Sequence, residues 1–327
     1  MEDIINILCA TDNNYAPFCG IMLTSLFESN KDCHFDVYVL IDNDVSTLSR
    51  NKFSKLGEKY GNGVNLMTVD NSILKGFPIV EGYVTLPTYY RLLATEMLPD
   101  QIHKVVYLDV DIIVKGDIMP LWLVDLEGVA IAGVRNFEQN QCERLGYDSS
   151  FGYFNAGVLV YNLDYWREHG VKDRLLEYIR LNRDNKSNLR LMDQDALNVV
   201  LREEKMILPE RFNYQVQMFA KEFWEGYSEE QKSTFLDEGG FVSVIHYAGT
   251  KPWNNRKCFG PLFHEWENVR KKSLWPHCRY SFPLNKQIKY LIKRAFFPGV
   301  LRKQLRERWF VAEGLGLFPS LTEVRSM

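Results

Sequence analysis

The chain has 327 residues, enough for one large domain with a sizeable core, and its 46% hydrophobic and 25% charged residues are ordinary for a globular protein. A net charge of -3 supplies no global basic field for nucleic acid, which is not expected as a partner. No apolar run approaches the roughly 18 residues that span a bilayer, and the start of the chain, with Glu2 and Asp3 and no basic region, is expected to carry no secretory leader.

The predicted elements alternate between strand and helix. Ile4 to Cys9 is a short apolar run suited to a buried strand. Ala16 to Ser29 is predicted helical, with Pro17 in its first turn and Ile21, Met22 and Leu26 at helical spacing. His34 to Ile41 alternates Phe35, Val37, Val39 and Ile41 on one side, as a strand does. Ser46 to Tyr60 reads as a helix closed by Gly61, and Val64 to Val69 as a strand. Thr88 to Met97 is predicted as one helix before Pro99, and Val105 to Val114 as one strand. Val129 to Val134 and Gly157 to Tyr161 are further strands. Asp164 to Leu181 and Asp193 to Arg202 read as helices, each N-capped by its Asp. Val242 to His246 is a late strand, and the pattern weakens into a loop between Glu138 and Tyr153.

This alternation predicts an α/β fold with a mostly parallel sheet flanked by helices. In such sheets ligands bind beyond the carboxyl ends of the strands, here after Cys9, around Asp109 and after Ile245. The six cysteines are scattered with no C-x-x-C pair, so reduced thiols are expected rather than a zinc site or a disulfide framework. A G-x-G-x-x-G fingerprint and a P-loop are both absent, which disfavours a dehydrogenase or a P-loop kinase.

Five segments carry candidate chemistry. In Val105 to Val114 two carboxylates, Asp109 and Asp111, interrupt an apolar run. On one strand they face the same way and repel, a conflict that a divalent cation such as Mg²⁺ or Mn²⁺ resolves. The alternative is a strand ending at Leu108 with two solvated Asp in a turn. In Ala10 to Tyr15, Asp12 is placed to accept from a base N–H and Tyr15 to stack on a ring, or the segment is a plain Asx turn capping the next helix. Phe154-Asn155-Ala156-Gly157 offers a small, polar approach for a sugar, or a bulged strand entry. Asp193-Gln194-Asp195 offers ligand contacts or a helix cap. In Ile245 to Trp253, His246 is a third candidate metal ligand or a structural histidine, Lys251 is placed to neutralise phosphate, and Gly249 lets the backbone approach a ligand.

In order and spacing, A-T-D-N-N-Y at 10–15, T-Y-Y-R-L at 88–92, Y-L-D-V-D at 107–111, F-N-A-G-V at 154–158, D-Q-D at 193–195 and H-Y-A-G-T-K-P-W at 246–253 resemble the retaining glycosyltransferases of family 8. The resemblance covers about residues 4 to 265. It implies a GT-A fold, a UDP-hexose donor with galactose or glucose, Mn²⁺ (or Mg²⁺), and a saccharide or glycolipid acceptor, with lipopolysaccharide or another surface glycan foremost. Carried onto matching positions, Ala10, Asp12 and Tyr15 bind uridine, and Asp109, Asp111 and His246 ligate the metal. Gly249 and Lys251 meet the diphosphate, while Arg91, Asn155, Ala156 and Asp193 hold the donor sugar. Gln194 lies near the anomeric carbon, with Asp193 and Asp195 beside it in the candidate catalytic set. A neutral amide is a weak nucleophile, so front-face attack with Gln194 stabilising the cationic centre is preferred to double displacement. Two rival readings are a catalytically silent nucleotide-sugar-binding protein of the same fold and a nucleotidyltransferase.

A GT-A domain is expected over residues 1–265 and an extension over 266–327. Within the extension, Lys286 to Arg308 holds eight Lys/Arg and one Glu, a balance of +7 in a chain of net -3. Interleaved with Ile288, Phe296, Phe297, Trp309 and Phe310, it reads as a basic amphipathic helical tail over 286–310. Such a tail suits peripheral contact of a cytoplasmic protein with the inner face of the membrane.

Overall fold

The computed structural model describes residues 4–79, 86–138, 140–185, 187–219, 242–249, 251–253 and 261–278. The basic tail over 286–310 lies outside the described residues. Ten strands are described: β1 (Ile5–Thr11), β2 (Phe35–Ile41), β3 (Gly63–Thr68), β4 (Lys104–Leu108), β5 (Ile112–Val114), β6 (Ile131–Arg135), β7 (Phe154–Asn162), β8 (Lys205–Leu208), β9 (Tyr214–Gln215) and β10 (Val244–His246). The main sheet runs β3-β2-β1-β4-β7-β6-β8. Its β1–β2, β2–β3, β1–β4 and β6–β8 pairs are parallel, whereas β7 is antiparallel to both β4 and β6. The expected mostly parallel α/β sheet is therefore present, with β7 running against its neighbours. A smaller sheet, β5-β10-β9, stands beside it.

Alternation along β1 sets the two faces of the main sheet. Ile5, Ile7 and Cys9 point into one apolar cluster, with helices α1 (Ala16–Ser29) and α2 (Thr47–Tyr60), while Leu8 and Ala10 point into the other. Helix α1 is buried nearly all round, and its polar Thr24 and Ser25 are satisfied by the carbonyls of Gly20 at 2.7 Å and Met22 at 2.6 Å. Ser25 also accepts from the Val114 N–H at 2.9 Å, which fastens β5 to α1. Helix α2 opens on Ser46, whose hydroxyl accepts from Ser49 N–H, and closes on Gly61 in the left-handed region at φ 68°.

Where the structure departs from the sequence reading, a particular residue is the cause. Thr88 to Met97 is not one helix: it breaks into α3 (Pro87–Tyr90), a 3₁₀ turn over Arg91–Leu93, and α4 (Ala94–Met97). The Arg91 Nε–H takes the Thr88 carbonyl at 3.1 Å, an acceptor that a regular helix would use for its own ladder. Val105 to Val114 is not one strand either. Asp109 N–H makes a final bond to Gly157 O at 2.8 Å, the chain turns through Val110, and it re-enters the second sheet as β5. After the single turns α5 (Met119–Trp122) and α6 (Gln141–Arg144), the predicted helix from Asp164 divides into α7 (Leu163–Glu168) and α8 (Val171–Asn182). Gly170, at φ 57°, makes the break, and Asn162 rather than Asp164 caps α7 by accepting from Tyr165 N–H at 3.1 Å.

Helix α9 (Asp193–Val200) lies with α8 against the β7 side of the sheet, and α10 (Pro261–Lys272) packs near α1. Trp266 of α10 is buried with Phe18, Ile21 and Trp253, so residue 265, the expected domain edge, lies inside a packed helix. Beyond α10, Trp275 sits against α1 so closely that a Cβ on Gly20 would lie 2.0 Å from its ring. Among the described residues no helix is long and apolar enough to cross a membrane. Cys9, Cys19, Cys33, Cys142 and Cys278 form no disulfide among the described residues, and Cys258 lies outside them.

Overpacking at Gly20 gives a test of this arrangement. Gly20→Ala is expected to destabilise the protein by about 1–3 kcal/mol in urea unfolding, and the extra cost should fall towards zero in a Trp275→Ala background. Equal costs in both backgrounds would show that Trp275 does not pack on α1.

Candidate active site

A cleft of about 620 Å³ opens where β1 and β4 end and β7 begins, closed by the start of α9 and the turn after β10. Ala10, Asp12, Tyr15, Arg91, Asp109, Asp111, Asn155, Ala156, Asp193, Gln194, His246, Gly249 and Lys251 all line it. The structure thus brings every sequence-predicted site residue to one cleft except Asp195. Thr88 and Tyr107, which open two of the motifs but carry no assigned role in them, also line it, as do Arg190 and Met192, which lie outside the motifs. Asp12 accepts from Tyr15 N–H at 2.8 Å, so the turn is present, but the N-cap of α1 is Tyr15 with no side-chain cap, and Asp12 faces the cleft.

One corner of the cleft is acidic. Asp109 and Asp111 lie in the turn between β4 and β5, not on one strand, so the alternation argument for their common direction fails. The turn nevertheless draws them together with His246 from the end of β10: one ligand atom from each of the three lies within 4.8 Å of the others. The alternative is right that the strand ends at Leu108 and that both Asp lie in a turn, but not that both are solvated, because Asp111 is only 6% exposed. Two hard carboxylate oxygens and an imidazole nitrogen make a donor set that fits Mn²⁺ or Mg²⁺. His246 Nε2 is 3.4 Å from Asp111 Oδ1, and the Lys251 ammonium bonds the other Asp111 oxygen. Burial alone would raise the Asp111 carboxyl, but Lys251 and His246 overcome it and hold the group well below the usual carboxylate range.

The opposite corner is organised by Arg91, which is 6% exposed. Its Nη2 donates to Asp109 Oδ1 at 2.8 Å and its Nη1 to the Ala156 carbonyl. The guanidinium lies over the Tyr107 ring at 4.4 Å, and the Tyr107 hydroxyl donates to the same Asp109 oxygen at 2.9 Å. Arg91 Nε is also 3.0 Å from Asp193 Oδ2, but its hydrogen goes to Thr88 O, so this carboxylate oxygen is buried and accepts no hydrogen bond. Burial raises the Asp193 carboxyl to about 6, with Arg91 opposing the rise and Asp109 adding to it. A buried acceptor without a donor, at the wall of a polar cleft, is suited to a ligand hydroxyl.

Asp193 and Gln194 open α9, but Asp193 is not its N-cap. That position belongs to Met192, whose φ of 51° and ψ of -117° are strained for a residue with a side chain. Gln194 Oε1 accepts from Ala156 N–H at 2.9 Å and Asn155 Nδ2 at 3.2 Å, and its Nε2 donates to the Tyr153 hydroxyl at 3.1 Å. Asp195 is fully buried and does not reach the cleft. Its carboxylate accepts from Arg144, from the Tyr153 hydroxyl at 2.6 Å and from Leu191 N–H at 2.7 Å. It braces the strained turn that presents its two neighbours, which corrects its place in the candidate catalytic set.

Known proteins resemble this chain in sequence and fold. The family model for glycosyl transferase family 8 matches residues 6–257. Over 264 residues the chain is 26% identical to General stress protein A of Bacillus subtilis (strain 168), covering 78% of this chain and 89% of the relative. Over 316 residues it is 29% identical to a lipopolysaccharide 1,2-glucosyltransferase of Escherichia coli, covering 91% and 89% respectively. Among solved structures, an active-site mutant of LgtC superposes with a TM-score of 0.72 at 25% identity, covering 83% of this chain and 96% of LgtC.

Asp193 carries a pH signature. Its folded value near 6 exceeds the ordinary value of 3.8, so the folded protein binds more protons there than the unfolded chain between these two pH values. The residue's contribution is therefore most favourable below pH 3.8 and is lost as pH rises through 6. Urea unfolding of wild type and Asp193→Asn should show the variant gaining roughly 3 kcal/mol relative to wild type between about pH 4 and pH 7. A difference that stays flat across this range would mean that Asp193 is not held in a desolvated site.

Proposed function

The chain belongs to glycosyl transferase family 8 and has the GT-A fold of its structural relative, and from this premise we propose that it is a retaining glycosyltransferase moving a hexose, galactose or glucose, from a UDP-sugar to a saccharide acceptor. By likeness to its lipopolysaccharide-modifying relative, the acceptor is a lipopolysaccharide or another cell-surface glycan. The observation that carries this reading is the division of one cleft into two corners. Asp109, Asp111, His246 and Lys251 make a corner for a diphosphate, and Arg91, Asn155, Asp193 and Gln194 make one for sugar hydroxyls.

In this reading Ala10, Asp12 and Tyr15 hold the uridine. Gly249, at φ 73°, brings backbone to the diphosphate, a conformation that a side chain would strain. When bound, Mn²⁺ or Mg²⁺ held by Asp109, Asp111 and His246 supplies Lewis-acid stabilisation of the departing UDP. Lys251 exchanges its Asp111 contact for the phosphates, and its ammonium offsets the charge that develops as the glycosidic bond breaks. Asp193 Oδ2 accepts a donor-sugar hydroxyl, and the Arg91 guanidinium fixes Asp193 and the Ala156 carbonyl beside it. Gln194 faces the anomeric carbon. Asp195, buried and held by three donors, is unavailable as a nucleophile, which favours front-face attack over double displacement.

A catalytically silent binding protein would not need the Gln194 amide at the anomeric carbon of a sugar held in this cleft. A nucleotidyltransferase would need a basic glycine-rich loop after β1, where this chain has Thr11-Asp12-Asn13-Asn14-Tyr15. The extension over 266–327 is proposed to act through its 286–310 segment, holding a cytoplasmic enzyme against the anionic inner face of the membrane.

Two measurements test these proposals. UDP-galactose and UDP-glucose hydrolysis should require Mn²⁺ or Mg²⁺, and Asp111→Asn should lower it by about 100-fold or more; metal-independent turnover or an unaffected variant would sink the reading. Full-length chain should float with vesicles containing anionic lipid, and a chain ending at Asn285 should not. Equal flotation of the two would remove the membrane role.

A further inference from the structure

An amide chain joins the two corners of the cleft. His246 Nδ1 lies 2.8 Å from Asn213 Oδ1, Asn213 Nδ2 donates to Asn155 Oδ1 at 2.9 Å, and Asn155 Nδ2 donates to Gln194 Oε1 at 3.2 Å. An imidazole and three carboxamides can each be drawn with donor and acceptor exchanged. Two backbone N–H groups, which can only donate, remove that freedom here. Gly157 N–H points at the Asn155 side chain at 2.9 Å, so the atom it meets must be the oxygen. The Asn213 atom that meets the same oxygen must then be its NH₂, and the Asn213 oxygen must face His246. An amide oxygen only accepts, so His246 Nδ1 carries a proton. In the neutral ring the lone pair is then on Nε2, the nitrogen that faces Asp111 3.4 Å away. At the other end of the chain, Ala156 N–H fixes the Gln194 oxygen in the same manner at 2.9 Å.

We propose that Asn213, oriented by the Gly157 backbone through Asn155, is the positioning residue that sets the His246 tautomer and so makes Nε2 a metal ligand. This rests on the metal reading of the site given above. Asn213 is fully buried and does not line the cleft, so it acts through His246 and touches neither cation nor donor. The ring's place is fixed from below as well: a Cβ on Gly157 would lie 2.3 Å from His246 Cε1, so the imidazole rests directly on the bare backbone of β7. Metal-bound histidines commonly depend on such a partner at the other ring nitrogen, and its loss typically lowers metal affinity by about 10–100-fold.

The test uses metal-free full-length protein labelled with ¹⁵N-histidine, at alkaline pH, with the His246 signals identified by their absence in His246→Gln. Long-range ¹H–¹⁵N correlation should show the Nδ1–H tautomer in wild type. Asn213→Leu should move the proton wholly or partly to Nε2 and weaken Mn²⁺ binding, read by electron paramagnetic resonance of free Mn²⁺, by about 10–100-fold. Asn213→Asp keeps an acceptor at Nδ1 and should retain the tautomer. An Nε2–H pattern in wild type overturns the proposal even if no Asn213 variant folds, and so does Asn213→Leu with unchanged tautomer and Mn²⁺ affinity. Wild type with Nδ1–H that binds no Mn²⁺ overturns the metal reading of the site and leaves the tautomer assignment standing.

Discussion

The Arg91 guanidinium is the contact on which the cleft depends. It lies in a single 3₁₀ turn, yet it reaches the end of β4 through Asp109, the start of β7 through the Ala156 carbonyl and the start of α9 through Asp193. These three elements share no backbone ladder that would fix all of them at this point. Breaking a buried ion pair from one side costs about 3–5 kcal/mol, because the stranded charge stays buried. Here two carboxylates and a carbonyl would be stranded together. Arg91 therefore ties the acidic corner to the corner made by Ala156 and Asp193.

The cleft holds two kinds of cation with different freedom. Arg91 is enclosed, stacked on Tyr107 and bonded on three sides, so it is a permanent part of the wall. Lys251 sits in the turn after β10 with its side chain 23% exposed, and its main partner is Asp111. A flexible ammonium at the mouth of the cleft can change partners at little cost, whereas the guanidinium cannot. The carboxylates divide in the same way. Asp193 stays with Arg91, while Asp111 is paired by a side chain that can leave when a stronger positive charge arrives.

Most of the fold is legible in the sequence because it depends on local patterns. The alternation of β1 and β2, the Pro17 start of α1, the Ser46 cap and the Gly61 stop of α2 all appear where short-range chemistry puts them. The failures have tertiary causes. Asp109 and Asp111 read as part of one continuous strand because the apolar run resumes at Ile112, but that run belongs to a second sheet, a fact carried by β10 more than a hundred residues later. Thr88 to Met97 breaks into short turns where the Arg91 side chain folds back to bond Thr88 O, a tertiary arrangement with no local pattern. β9, only two residues long, has no periodicity to read. Motif resemblance finds cleft-lining residues inside the motifs and leaves residues outside them hidden. Asn213 gives no signal in the sequence, because its role exists only once His246 and Asn155 meet across β10 and β7.

The Asp193-Gln194-Asp195 segment shows how one motif divides its labour. Successive residues on a helix are about 100° apart, so positions two apart point to nearly opposite sides. With Asp193 aimed at Arg91 in the cleft, Asp195 must turn into the protein, where Arg144, Tyr153 and Leu191 N–H receive it. That buried carboxylate is what the preceding turn needs. Met192 sits in a backbone region that costs about 1–3 kcal/mol for a residue with a side chain, and such strain persists only where neighbours over-determine it. The bond from Leu191 N–H to Asp195 closes the turn on one side, and the bonds from Gln194 to Ala156 and Tyr153 close it on the other. The helix start is thereby held in the one orientation that puts an unsatisfied Asp193 oxygen and the Gln194 amide against the same space. Asp195 does not itself face the cleft and fixes where its neighbours stand.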